Sequence, residues 1–163
     1  MFRLPADAAE PEFVVLHDYW RGKCRDGRLP ARRDIDPLDL PPAILPNIIL
    51  LDVERVERTP RFRVRLAGTG FVALLDREVT GRYFDELGPE RQMAPIMDAL
   101  HTLVATGQPV FLASPMIRPN KGQVWLKRFA LPLAEDGKTV DMVLASFRPV
   151  QQDERPDAWT AAE

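Results

Sequence analysis

The stretch RFRVRLAGTG, residues 61 to 70, sets the tightest constraint on the fold. Phe62, Val64 and Leu66 fall on one side of an extended chain, and Arg61, Arg63 and Arg65 on the other. A period of two belongs to a strand with one covered face and one in water. Such a strand needs partners beside it and an apolar layer beneath it. NIILLDVERVE, 47 to 57, is its first partner, reached through a turn at Thr59-Pro60. Three more strand segments close the chain: PVFLASPMI (109 to 117), QVWLKRFALPL (123 to 133) and TVDMVLASFRPV (139 to 150). The polar links between them, RPNKG and AEDGK, read as hairpin loops.

The covering layer comes from helices. FVALLD, 71 to 76, reads as a short one, and another is expected from about Gly81 to Leu87. The longest runs from Pro89 to Thr106, with Met93, Ile96, Met97, Leu100, Leu103 and Val104 as its apolar stripe and Gly107 as its C-cap. Pro95 marks either a kink or the start of the regular part. Near the N-terminus, PEFVVLHDYWRGK opens on Pro11 and is expected to end near Gly22. Phe13, Leu16 and Trp20 share one face of that helix, widened by Val14, Val15 and Tyr19. A proline-punctuated lead-in, RRDIDPLDLPPAILP, follows. Asp36 is expected to cap the turn that Pro37 starts, Asp39 the turn at Pro41-Pro42, and Pro46 to stop any helix at Leu45. Two strand runs around a helical middle give an α+β fold, one antiparallel sheet packed on helices. With 163 residues, 45% of them hydrophobic, one domain is expected. Its parts are an N-terminal segment and helix (1–25), the lead-in (26–46), the sheet-bearing core (47–150) and a flexible tail (151–163).

This order resembles that of the PAS (Per-Arnt-Sim) sensor domain. GTGFVALLDREVTGRYFDELGPE looks like the helical side of such a domain, and LPARRDIDPLDLPPAILPNIILLDVE with FRVRLAGTG resembles a group of small proteobacterial single-PAS proteins. The resemblance spans residues 12 to 150. It implies a five-stranded antiparallel sheet with helices on one face, plus the N-terminal helix. It also implies a core that holds a ligand in some members and only side chains in others. Sensing, dimerisation and partner control are the implied functions, but fold alone does not give function.

Each candidate chemistry therefore needs its own argument. Asp34, Asp36 and Asp39 crowd the lead-in, yet capping and solvation explain them better than a cation site, so no metal is expected. Light-sensing PAS relatives carry a reactive cysteine where this chain has Phe84, and Cys24 lies far away. That argues against a covalent flavin and leaves a noncovalent small ligand open. Haem-binding relatives use a histidine on the long helix; His101 sits there, but beside the apolar stripe and close to the next strand, which argues against haem. His17, on the N-terminal helix, has no evident partner. Two histidines, one cysteine, Ser114 and Ser146 form no recognisable triad, and GTG alone is a weak glycine signal, so no enzyme is expected and no catalytic residue is assigned.

Phe71, Leu74, Phe84, Met97, Leu100, Trp125, Phe129 and Met142 are expected to face the space between helices and sheet. They form either a filled core or a small apolar ligand pocket, the filled core being favoured. Arg61, Arg63 and Arg65, and a second basic stretch of Lys127 and Arg128 with Arg118 and Lys121, read best as a solvated outer sheet face; the functional alternative is a cationic surface for an acidic protein partner or a nucleotide phosphate. The net charge of -2 argues against general nucleic-acid binding. Phe13, Leu16, Tyr19 and Trp20 either cover their own sheet or cross to a second copy, with a two-fold homodimer as the default assembly. With no apolar signal core, no membrane-length run and one cysteine, the chain reads as cytoplasmic. The reading is a non-enzymatic regulatory PAS module in signalling that binds a protein partner and, in the alternative, senses a small molecule or cofactor in an apolar core. A small enzyme is the second alternative.

Overall fold

The computed structural model describes residues 8–118, 120–151 and 154. Helix α1 spans Pro11–Lys23, and three 3-10 turns follow at Arg32–Asp34, Pro37–Asp39 and Leu45–Asn47. Strands β1 (Ile48–Glu54) and β2 (Arg61–Ala67) lead to helix α2 (Thr69–Leu75), a 3-10 turn at Phe84–Glu86 and helix α3 (Glu90–Thr106). Strands β3 (Val110–Arg118), β4 (Gly122–Leu133) and β5 (Met142–Pro149) complete one antiparallel sheet, ordered β2-β1-β5-β4-β3. The first and last strands thus pair at its centre, so the two halves of the chain share one sheet.

Both faces of this sheet are covered. Strand alternation and side-chain partners separate them. Ile49, Leu51, Ala130, Ala145 and Phe147 meet Ile96 and Leu100 of α3, on what we call the inner face. Ile48, Leu50 and Leu144 lie beneath Ile35, Leu40 and Leu45 of the lead-in, on the outer face. Phe129 is also outer, its ring against Phe13 of α1 at 5.4 Å between centroids. This explains why all four residues Ile48 to Leu51 are buried. A strand covered on both sides loses its polar alternation.

The lead-in is a fixed part of the domain. Asp36 caps as expected, its Oδ1 accepting from the Leu38 amide at 3.0 Å. Asp34 accepts from the Ala31 amide at 2.8 Å. Asp39 departs from expectation: its carboxylate accepts from the Tyr19 hydroxyl at 3.0 Å and so joins the lead-in to α1. Pro46 does not end a helix but sits inside the third 3-10 turn, where a missing amide proton costs less than in an α-helix. The glycines of GTG are explained here as well. A Cβ on Gly68 or Gly70 would collide with the Pro46 carbonyl, so both glycines let α2 start against the lead-in.

Other boundaries shift for local reasons. Helix α1 passes through Gly22 and ends with an extended Cys24 as its C-cap. The helix expected around Gly81 to Leu87 is only the turn at Phe84–Glu86. Pro95 lies within a continuous α3, on its exposed side, where the carbonyl it leaves unbonded can meet water. A β-bulge interrupts the β1–β2 register: Leu50 pairs with Leu66, but Leu51 pairs with Val64. Arg65 is the extra residue, and Leu66 is thereby moved to the outer face beside Leu50. The strict alternation through Leu66 therefore fails at its last step. The expected tail lies mostly outside the described residues.

Candidate functional site

Between the inner face and α2–α3 lie two small chambers, of about 40 and about 10 Å³, that share Phe84, Ile96 and Arg128. Phe71, Phe84 and Leu100 line them as expected. Leu74 and Met97 do not; their neighbours Leu75, Met93 and Ile96 do. The stripe of α3 that faces the sheet is set one residue to the side of Met97, which packs at the core margin. Trp125 and Met142 belong to the outer face, in step with Phe129 and Leu144 on their strands. Phe129 stands in the chamber wall, but its ring turns outward to Phe13 and His17. These three errors share one cause: β4 and β5 carry apolar residues on both faces.

The feature that sequence reasoning missed is Arg128. The sequence reads as if it belonged to a solvated basic stretch, whereas it projects inward with Ala130 and lines both chambers. Its Nε donates to Ser114 Oγ at 3.2 Å. Its Nη2 has essentially no accessible surface and meets no hydrogen-bond partner among the described residues. Burial without a counter-charge pushes the guanidinium down to about 10. The available signal was its phase: Leu126, Arg128 and Ala130 alternate with the outward residues, so the arginine occupies an inward position. Lys127, one step out of phase, is outer and forms an ion pair with Glu10 at the start of α1.

The other candidates have local partners. Arg61 pairs with Asp85 and Glu86 at 3.0 and 3.2 Å, Arg63 with Glu54 at 2.7 Å, and Arg65 with Asp52 at 2.9 Å. Arg61 and Arg63 also lie over the Tyr83 ring at 3.6 and 4.5 Å. The arginine row is therefore balanced by the chain's own carboxylates. In the second basic stretch, Lys121 sits 3.8 Å from Asp76, and Arg118 donates to the Lys121 carbonyl.

Phe13, Leu16 and Trp20 are each 0% exposed. Trp20 Nε1 donates to the Pro132 carbonyl at 2.8 Å, and Tyr19 bonds to the lead-in. In this conformation α1 covers its own sheet, so Phe13, Leu16 and Trp20 present no surface to a second copy, while Tyr19 stays partly exposed. His17 is buried with them, and desolvation lowers its pKa despite Asp18 nearby. His101 Nε2 lies 3.0 Å from the Pro60 carbonyl and its ring packs near Phe62, away from both chambers. The Cys24 thiol is pushed up to about 11 by burial, the opposite of an activated cysteine. Among the described residues no cluster of three His, Cys, Asp or Glu side chains could hold a metal ion. Among them also no helix is long and apolar enough to cross a membrane.

A search of curated proteins finds no match. Solved structures do match in fold. A light-oxygen-voltage domain studied with a flavin analogue has a TM-score of 0.53 at 18% identity, covering 71% of this chain and 84% of that one. The LOV protein of Rhodobacter sphaeroides gives 0.54 at 16%, covering 71% and 65%. The dark structure of the blue-light photoreceptor aureochrome-1 LOV gives 0.52 at 15%, covering 93% and 91%. At these identities the likeness establishes the fold. The PAS domain family model matches residues 9–147, from just before α1 into β5. The five-stranded antiparallel sheet, its helices and that match agree: this chain belongs to the PAS domain family, a family of sensory modules.

Proposed function

We propose that this PAS domain is a non-enzymatic signalling module that binds a small anionic or acceptor-bearing ligand beside Arg128 and passes its occupancy to a protein partner. One observation carries the ligand reading: a buried guanidinium whose Nη2 lacks an acceptor and borders the inner chambers. A buried charge left without partners is costly, so an acceptor in the chamber stabilises the fold to which it binds. The chamber volume of about 40 Å³ suits a molecule of very few heavy atoms.

A flavin, whose analogue was used to study one fold neighbour, is too large for this interior. Ligand pockets for molecules of drug size run to roughly 300–1,000 Å³. Here Phe71, Phe84 and Ile96 wall chambers of only about 40 and 10 Å³, and the sequence resemblance aligns Phe84 with the cysteine of light-sensing relatives.

Strand β4 offers the route outward. Arg128 points into the chambers, while Lys127 and Phe129 on either side hold Glu10 and Phe13 of the N-terminal segment. A ligand that re-orients Arg128 therefore works on the strand that seats α1. Undocking α1 would uncover Phe13, Leu16 and Trp20 for a partner, through a shift between two conformations.

The test is native mass spectrometry of freshly purified protein, beside the Arg128→Met variant and a denatured control. A small bound mass, released on denaturation and missing from Arg128→Met, is expected. Bare protein in the wild type, or the same mass on both proteins, overturns the reading.

A further inference from the structure

The outer face holds a larger cavity than the inner one. About 220 Å³ lies between the lead-in and the sheet, walled by Ile35, Leu40, Ile48, Leu50 and Leu144. Its lining is almost wholly apolar. Leu66, 45% exposed and moved outward by the β-bulge, borders it as well. The cavity exists for a physical reason. Its roof is a series of 3-10 turns fixed by prolines, whose short side-chain register and rigid backbone cannot sink into the sheet as a helix stripe does. The roof is also held in place. Tyr19 grips Asp36 and Asp39 on one side, and Pro46 is locked against Gly68 and Gly70 on the other. Collapse of the lid onto the sheet is thereby opposed.

One polar side chain borders this space. Arg32 lies in its lining and donates from Nη1 to the Ile35 carbonyl at 2.8 Å. Among the described residues, no carboxylate forms an ion pair with it. Nearby Arg33 differs, since it pairs with Glu135. An apolar chamber with one uncompensated guanidinium in its lining selects for an apolar chain that ends in an anion.

We infer that the cavity under the lead-in is a second ligand site, separate from the inner chambers, and that it binds a medium-chain carboxylate with its anionic end on Arg32. At roughly 30 Å³ per water- or methylene-sized group, 220 Å³ takes a chain of about seven carbons. Octanoate is thus a suitable probe. The site is closed by the segment that joins α1 to the sheet, so occupancy stabilises the lead-in and its Tyr19 contact with α1.

The experiment is thermal unfolding and calorimetric titration of the full chain with octanoate, and with octanol as the uncharged equivalent. Four proteins are compared: wild type, Arg32→Gln, Leu66→Trp and Arg128→Met. Octanoate is expected to raise the midpoint of wild type and Arg128→Met alike, and to bind more tightly than octanol. Arg32→Gln should weaken octanoate about tenfold and leave octanol unchanged, as for loss of one charge-assisted hydrogen bond. Leu66→Trp, placed at an exposed rim so that folding is retained, should block both probes. No octanoate binding to the wild type overturns the site. So does binding that persists in Leu66→Trp and disappears in Arg128→Met, which would place octanoate in the inner chambers. Equal binding of octanol and octanoate overturns the role given to Arg32.

Discussion

The two faces of one sheet are closed by different means, and they differ in what they leave inside. On the inner face, α3 presents a regular stripe of Met93, Ile96, Leu100 and Leu103, and only about 40 and 10 Å³ remain in the chambers. On the outer face, α1 packs densely at the β4 end, but the proline-punctuated lead-in roofs the β1–β2 end and leaves about 220 Å³. A helix can rotate and slide until its side chains interdigitate with a sheet. A chain of short turns held by prolines and side-chain caps cannot. The polar content is reversed too: the tightly filled side contains Arg128 with an unmatched Nη2, and the roomier side is nearly all hydrocarbon.

The strongest test of this contrast removes the best-packed outer anchor. Trp20→Ala should destabilise the domain by about 4 kcal/mol, because it deletes a fully buried ring and its bond to the Pro132 carbonyl. Urea unfolding measures this, and hydrogen exchange should show α1 opening first. A loss close to zero would mean that α1 is not seated in solution.

A matched pair of leucines sharpens the comparison. Leu103→Ala, at a fully buried position on α3 that lines neither inner chamber, should cost about 4 kcal/mol. Leu144→Ala borders the outer cavity, already lacks neighbours on that side, and should cost about 2 kcal/mol. Equal losses in chemical denaturation would mean that the outer cavity is filled or collapsed.

Arg128→Met tests the inner polarity and should stabilise the ligand-free domain by about 3 kcal/mol at neutral pH. The folded-state pKa of about 10 lies below the ordinary arginine value, so the native state holds its proton less firmly than the unfolded chain. The penalty is complete below about 10 and is relieved as pH rises from there towards the ordinary arginine value. The advantage of Arg128→Met should therefore shrink across that interval. An advantage independent of pH would rule out an uncompensated charge.

The smallest effect concerns His17 on the outer side. Desolvation lowers its pKa, so the fold favours neutral imidazole. Stability is then intact above the ordinary value of 6.5 and declines as pH falls below it. His17→Gln should flatten that decline below about pH 6.5, read from thermal midpoints. An unchanged slope would assign the acid sensitivity elsewhere.

The inward position of Arg128 was the costliest misreading, and its cause is general. In VWLKRFALPL the outward Phe129 and Leu131 are as apolar as the inward Leu126 and Ala130, so the segment has no polar face by which to set its phase. Lys127 and Arg128 side by side then look like a surface pair. Phe71, Phe84 and Leu100 were legible because α2, the Phe84 turn and α3 each have one exposed side. Leu74 and Met97 were misplaced because a helix stripe fixes a direction only to within about one residue.

The sequence by itself determined the order of helices and strands, the single domain, the inward Phe62 and Val64, the apolar face of α1 and the structural use of Asp34 and Asp36. These follow from local forces: period, capping and proline geometry act within a few residues. Only the tertiary structure decided which face each β4 and β5 side chain takes, that the Arg65 bulge sends Leu66 outward, that Arg61, Arg63 and Arg65 meet their own carboxylates, and that the lead-in roofs a cavity. Those outcomes depend on the register of a partner strand and on what closes over each face, and residues far apart in the chain set both.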